Sequence, residues 1–158
     1  MVAWGREASG VGAYPITASG ATGHNYAITF VNGTLTVTAA PLTITAENKS
    51  SVYGEPVPTL TFSYTGFVLG ETEGVLTTPV GAATTATAGS NAGTYPITVS
   101  GAVAANYAIT FVNGTLTIAK VPLTIRADDK TKTQGTPNPP LTASYTGFVG
   151  GNTEASLD

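Results

Sequence analysis

The twelve residues Asn-Tyr-Ala-Ile-Thr-Phe-Val-Asn-Gly-Thr-Leu-Thr begin at Asn25 and begin again, unchanged, at Asn106. Tyr14-Pro15-Ile16-Thr17 returns as Tyr95-Pro96-Ile97-Thr98, Pro41-Leu42-Thr43-Ile44 as Pro122-Leu123-Thr124-Ile125, and Tyr64-Thr65-Gly66-Phe67 as Tyr145-Thr146-Gly147-Phe148. Every offset is 81, and the copies align from Gly12 onward without a gap. A fixed period of this kind marks a repeated structural module. The chain divides into residues 1–40, the C-terminal part of a module; 41–121, a complete module; and 122–158, the N-terminal part of a further one. Any fold must therefore close within 81 residues and repeat at once, with only a small core per module.

Alternation of apolar and polar residues places strands at 13–20, 42–46, 60–65, 95–101 and through both copies of the twelve-residue stretch. Asn-Gly between alternating runs predicts β-hairpins turning at Asn32-Gly33 and Asn113-Gly114. In that register Phe30 pairs with Leu35 and Ile28 with Val37, all on one face. Gly114 would then have φ > 0, and Gly114→Val would cost about 1–2 kcal/mol. Pro15 removes a ladder donor, so its strand belongs at an edge or is unpaired there. Residues 47–58 read as a loop, Thr65-Gly66 as a turn, and 79–88 as a weak strand plus loop. Residues 71–77 read as a helix of one or two turns, which in the third module Asn152 could cap. The expected core of the whole module is Leu42, Ile44, Leu60, Phe62, Tyr95, Ile97, Val99, Tyr107, Ile109, Phe111, Leu116 and Ile118. Thr43, Thr45, Thr61, Thr98, Thr110 and Thr117 are the expected exposed set.

Charged residues are 9% of the chain, against about 25% in globular proteins. Ample Val, Ile, Tyr and Phe argue against disorder. A net charge of −3 supplies no basic stripe for nucleic acid. Without cysteine there are no disulfides and no thiolate metal sites. No apolar run is long enough for a membrane span. Residues 1–10 lack the apolar core of a signal peptide; they read as a ragged end, with Trp4 an exposed apolar side chain.

The ordered set LTITAENKSSVYGEPVPTL, FSYTGFVLGETEGVL and AGTYPITVSGAVAANYAITFVNGTLTI resembles the MBG repeats of large bacterial surface proteins, the type marked by a Tyr-Gly pair. Here the pair is Tyr53-Gly54, with Gln134-Gly135 in the third module. The resemblance implies a cell-surface or secreted adhesin-type protein and a β-grasp-like fold, and it carries over no catalytic residue. The fold class expected is mainly β, a small α+β arrangement of tandem modules with mixed sheets and one short helix each. An immunoglobulin-like sandwich without a helix is the alternative. Parallel pairing of 42–46 with 115–119 would mark the β-grasp; separate sheets for those strands would exclude it.

Candidate chemistry is sparse. His24 is the only histidine and Ala105 replaces it one period on, so a triad has no base. Asp128-Asp129 and Glu47-Asn48 fall short of the six to eight oxygens that calcium takes, so no metal or other cofactor is expected. Lys49 and Lys130 occupy equivalent places, as do Asn25 and Asn106, but a buried Lys–Asn isopeptide bond would need an adjacent buried acid that the pattern does not supply. Most aromatics fall on apolar strand faces and read as core. Tyr53 and Phe67 lie in loops and are the possible ligand contacts. The first functional expectation is a non-catalytic spacer whose partners are its neighbouring modules; the alternative is a glycan- or mucin-binding module acting through Tyr53 and Phe67. Each end piece alone leaves a strand edge open, so the half modules are expected to be frayed or complemented by a partner chain's opposite end.

Overall fold

In the computed structural model, residues 9–157 are described; Trp4 lies outside them. Eleven strands form: β1 (Gly12–Ile16), β2 (Gly33–Val37), β3 (Ala40–Ala46), β4 (Lys49–Val52), β5 (Phe62–Thr65), β6 (Gly81–Thr84), β7 (Gly93–Ser100), β8 (Tyr107–Val112), β9 (Gly114–Ala119), β10 (Thr124–Ala127) and β11 (Ala143–Thr146). The expected short helix is a single 3₁₀ turn, Glu73–Val75, repeated at Glu154–Ser156. In the second copy Thr153, not Asn152, is the N-cap, and Ser156 Oγ accepts the Thr153 N–H. The protein is mainly β with mixed sheets.

The chain forms two compact units. The first holds, of the described residues, 9–46, 62–82 and 98–113. Its main sheet has the order β5-β3-β8, β3 running antiparallel to β5 and parallel to β8. Leu42, Ile44, Ala102, Ala104 and Tyr107 make its buried core, and Phe62, Tyr64, Phe67, Leu76 and Ile109 pack against them. The antiparallel pair β1-β2 belongs to the same unit. β1 has no other partner, so Pro15 sits in an edge strand as expected.

The second unit holds residues 47–61, 83–97 and 114–158. Its ladders are β4-β9, parallel, and β9-β7, antiparallel. Ile97, Leu116 and Ile118 are buried here. The weak 79–88 segment supplies β6, which extends the order to β4-β9-β7-β6. The antiparallel pair β10-β11 completes this unit.

Compactness and sequence period therefore cut the chain at different places. The middle repeat gives β5-β3-β8 to one unit and β4, β9 and most of β7 to the other. Each unit joins segments of two successive repeats, and only Thr38 and Ala39 separate β2 from β3.

The Asn-Gly hairpin does not form. β8 and β9 lie in different sheets, and the glycines with positive φ include neither Gly33 nor Gly114. Gly114 is the first residue of β9, opposite Ile97. The Gly114→Val strain expected from a turn therefore has no basis. The chain runs on through Asn113, and its apolar parity changes there: Tyr107 and Ile109 face one core, Leu116 and Ile118 the other. The partner strand changes in the same place. Leu42, Ile44 and Ala46 are buried on even positions, whereas Lys49 and Ser51 are the inward positions of β4. Both ladders keep one register difference, Ala40 with Tyr107 and Lys49 with Leu116, so neither strand gains a residue at the crossing. At that level Asn48 Oδ1 accepts the Thr115 N–H at 2.8 Å, doing a backbone carbonyl's work.

The pairing that would mark a β-grasp does not form, so the mainly β class with mixed sheets stands and the β-grasp arrangement does not. Strands 42–46 and 115–119 lie in different sheets; 42–46 runs parallel to β8, and 115–119 parallel to β4. The first and last segments of the repeat do run parallel, but split over two sheets. Leu42, Ile44, Ile97, Val99, Tyr107, Leu116 and Ile118 are buried as expected. Leu60, Phe62, Tyr95 and Ile109 are half-buried. Phe111 is exposed, because it stands near the end of β8, an edge strand covered on one side only. Thr98, Thr110 and Thr117 are exposed; Thr43 and Thr45 are half-buried on the central strand β3, and Thr61 is half-buried beside Glu47.

Candidate functional site

The Tyr-Gly pair closes a tight turn. The Glu55 N–H donates to the Val52 carbonyl at 3.2 Å, and Gly54 has φ +89°. Positive φ at the third turn position is the type II requirement that glycine meets without strain. The same turn recurs where Thr136 N–H donates to the Thr133 carbonyl and Gly135 has φ +86°. The glycine is thus set by the turn, and the residue before it is free to vary, as Gln134 shows.

Tyr53 is half-buried and does its work across a repeat boundary. Its hydroxyl accepts a hydrogen bond from Asn152 Nδ2 at 3.0 Å. A Cβ on Gly54 would stand 3.0 Å from a Val149 methyl, so the turn itself lies against the third repeat. Beside Tyr53 a hollow of about 290 Å³ is lined by Lys120, Val121, Leu123, Phe148, Asn152 and Leu157, among others. Nothing in the sequence signalled Asn152, since the partners come from different repeats at unrelated positions in the period.

Phe67 lies in the other compact unit, so the two possible ligand contacts are not brought together. Its ring packs on Tyr64 at 5.4 Å and, edge to face, on Tyr107 at 5.6 Å. Next to it, residues 68–71 form a turn in which Leu69 and Gly70 both have positive φ, 57° and 73°. The Glu71 N–H closes this turn on the Val68 carbonyl at 3.0 Å. This is the left-handed pair that Asn-Gly was expected to supply. The turn grips Tyr107: the Val68 N–H donates to its hydroxyl at 3.1 Å, and the hydroxyl donates to the Glu71 carboxylate. That bond to Glu71 pushes the Tyr107 hydroxyl pKa above its ordinary value, with burial adding to it.

At the start of each crossing stands a carboxylate bound by a threonine. Thr61 Oγ1 donates to Glu47, and Thr142 Oγ1 donates to Asp128. Glu47 also pairs with Lys49 Nζ at 3.1 Å, but its side chain is 49% exposed, so it is not the buried acid that an isopeptide bond needs. The threonine bond lowers the pKa of both carboxylates; Lys49 helps for Glu47, and burial opposes the shift. Folded-state values below the unfolded ones mean a stabilisation fully present above about pH 4 and lost as pH falls through the lowered values. Urea midpoints measured at pH 7 and pH 3 should differ less in a Glu47→Gln, Asp128→Asn double variant than in the parent. An unchanged difference would remove these two groups from the acid response.

No cluster of three potential metal-ligating side chains occurs among the described residues. No described helix is long and apolar enough to cross a membrane. The MBG domain (YGX type) matches residues 3–36, 42–117 and 123–158. The chain belongs to this family. MBG modules are repeat modules of surface proteins. No curated protein and no solved structure matches the chain. In this MBG chain the Tyr-Gly turn is a boundary element: its glycine makes the turn, and its tyrosine holds the next repeat.

Proposed function

We propose that this MBG chain is a non-catalytic spacer of a bacterial cell-surface or secreted adhesin-type protein. The observation that carries the reading is that each compact unit joins parts of two successive repeats. Such a boundary contains packed side chains and the Tyr53–Asn152 hydrogen bond in place of a flexible linker. In a stack of this kind, stability is a sum of local terms and nearest-neighbour terms. Force along the chain then meets β ladders and packed junctions in turn. The sparse charge suits a surface that does not attract its neighbours electrostatically.

A tandem array of the 81-residue repeat, pulled at constant velocity, should unfold in evenly spaced events. Each event should release roughly 25 nm, from about 3.4 Å per residue less the folded length. Extension without resolved force peaks would defeat the spacer reading. The alternative, glycan binding through loop aromatics, has less support: Phe67 is packed among Tyr64 and Tyr107, and the Tyr53 hydroxyl already has a partner.

A further inference from the structure

One sequence is present in this chain in two states. Residues 106–112 pair with β3 and seat Tyr107 in a core. Residues 25–31 repeat them letter for letter yet form no strand. Tyr107 is 7% exposed and Tyr26 is 80% exposed. The difference is a partner: residues 107–112 lie along β3, and among the described residues no strand lies along 25–31.

The complementary deficiency lies in the third repeat. β10 repeats β3 but pairs with β11 alone, so the edge that β3 gives to β8 is open. Ile44 is fully buried, and its counterpart Ile125 is 55% exposed. The hollow beside Phe148 is lined by Leu123, Phe148, Ser156 and Leu157, which correspond to Leu42, Phe67, Val75 and Leu76. Those four residues belong to the core cluster that holds Tyr107 in the middle repeat, with Phe67 in ring contact with it. The hollow is a tyrosine seat without its tyrosine.

We propose that a second copy of this chain supplies the missing strand, its residues 26–31 adding in parallel to the open edge of β10. The middle repeat sets the register: Val121 opposite Tyr26, Leu123 opposite Ile28, Thr124 opposite Thr29 and Ile125 opposite Phe30. Tyr26 enters the hollow and meets Phe148 as Tyr107 meets Phe67. The Val149 N–H stands where Val68 binds the Tyr107 hydroxyl. Asn152 replaces Glu71, and an amide can serve two tyrosines at once. Its Nδ2 already donates to Tyr53, and its Oδ1 is placed to accept from Tyr26. A second ladder forms in the same contact. Residues 130–133, the unpaired copies of β4, add to the free edge of β2, with Lys130 opposite Leu35.

Donor strand and acceptor edge are different surfaces, so each contact is head-to-tail, and successive contacts either close into a ring of copies, the reciprocal dimer being the smallest, or run on as a chain of molecules. Backbone hydrogen bonds supply the affinity and the tyrosine seat supplies the register, as in other strand-addition complexes. The spacer reading does not depend on this contact, since neighbouring repeats in one longer chain satisfy the same edges.

The test uses the 158-residue chain. Sedimentation over a hundredfold concentration range should show a weight-average mass that rises from that of the monomer to that of the dimer or beyond. Thr29→Pro removes a donor from a segment that forms no ladder within one molecule, so it should leave the circular dichroism spectrum intact and return the mass to that of the monomer. The chain has no cysteine, so register can be read by crosslinking. A Thr29→Cys chain mixed with a Thr124→Cys chain should form the mixed disulfide at least tenfold faster than with an Ile125→Cys chain, whose side chain faces the other way. A monomer at every concentration, association untouched by Thr29→Pro, or equal crosslinking at Thr124 and Ile125 would each overturn the proposal. None of these results bears on the force measurement.

Discussion

Gly66→Ala is expected to destabilise the β5-β3-β8 sheet by about 3 kcal/mol, a backbone effect that no repacking of side chains relieves. Gly66 has φ +118°, where an L side chain is strained from the outset. A Cβ built there overlaps the Pro41 carbonyl oxygen and stands 3.3 Å from the Leu42 Cα. Both obstacles are main chain of the central strand, so relief would require moving β3. Gly147 repeats the arrangement against Pro122 and Leu123 with φ +117°. Urea denaturation of the single variants should show the larger loss for Gly66, because β3 is central in a three-stranded sheet and β10 has one partner. A loss under 1 kcal/mol at Gly66 would mean that the turn after β5 is not held as described.

Ile44→Ala and Ile125→Ala, the same substitution one period apart, should differ severalfold. Ile44 is fully buried in the core cluster with Tyr107, so truncation leaves a cavity and should cost about 3–4 kcal/mol. Ile125 is 55% exposed in an otherwise equivalent strand, and its truncation should cost less than about 1 kcal/mol. The comparison holds at a protein concentration where the chain is monomeric. If residues 26–31 of a second copy cover β10, the Ile125 cost should rise with concentration toward the Ile44 value. Equal costs in the monomer would contradict the burial difference.

The sequence by itself determined the period, the division into a whole repeat with a part on either side, and the mainly β class. It also placed most strands, because alternation reports which face each side chain takes, and that is a local property. Residues 47–58, read as a loop, hold β4 and the Tyr53-Gly54 turn, and the hydrogen-bonded turn after β5 closes at Val68–Glu71 rather than at Thr65-Gly66. Nor was Asn113-Gly114 readable from its neighbours. Alternation through Phe111 and Leu116 suits a hairpin, in which the two residues share a face. It suits equally a strand that changes sheets, in which they face different cores. Only the long-range parallel ladders, β3 with β8 and β4 with β9, select the second arrangement. The same limit applies to the site. Tyr53 was singled out for standing in a loop, but its partner Asn152 comes from the following repeat, 99 residues on. Tertiary structure also decided that residues 106–112 are a strand and residues 25–31 are not. A β-strand's hydrogen bonds lie outside its own segment, so identical residues can be paired in one repeat and unpaired in another, according to whether a partner edge is within reach.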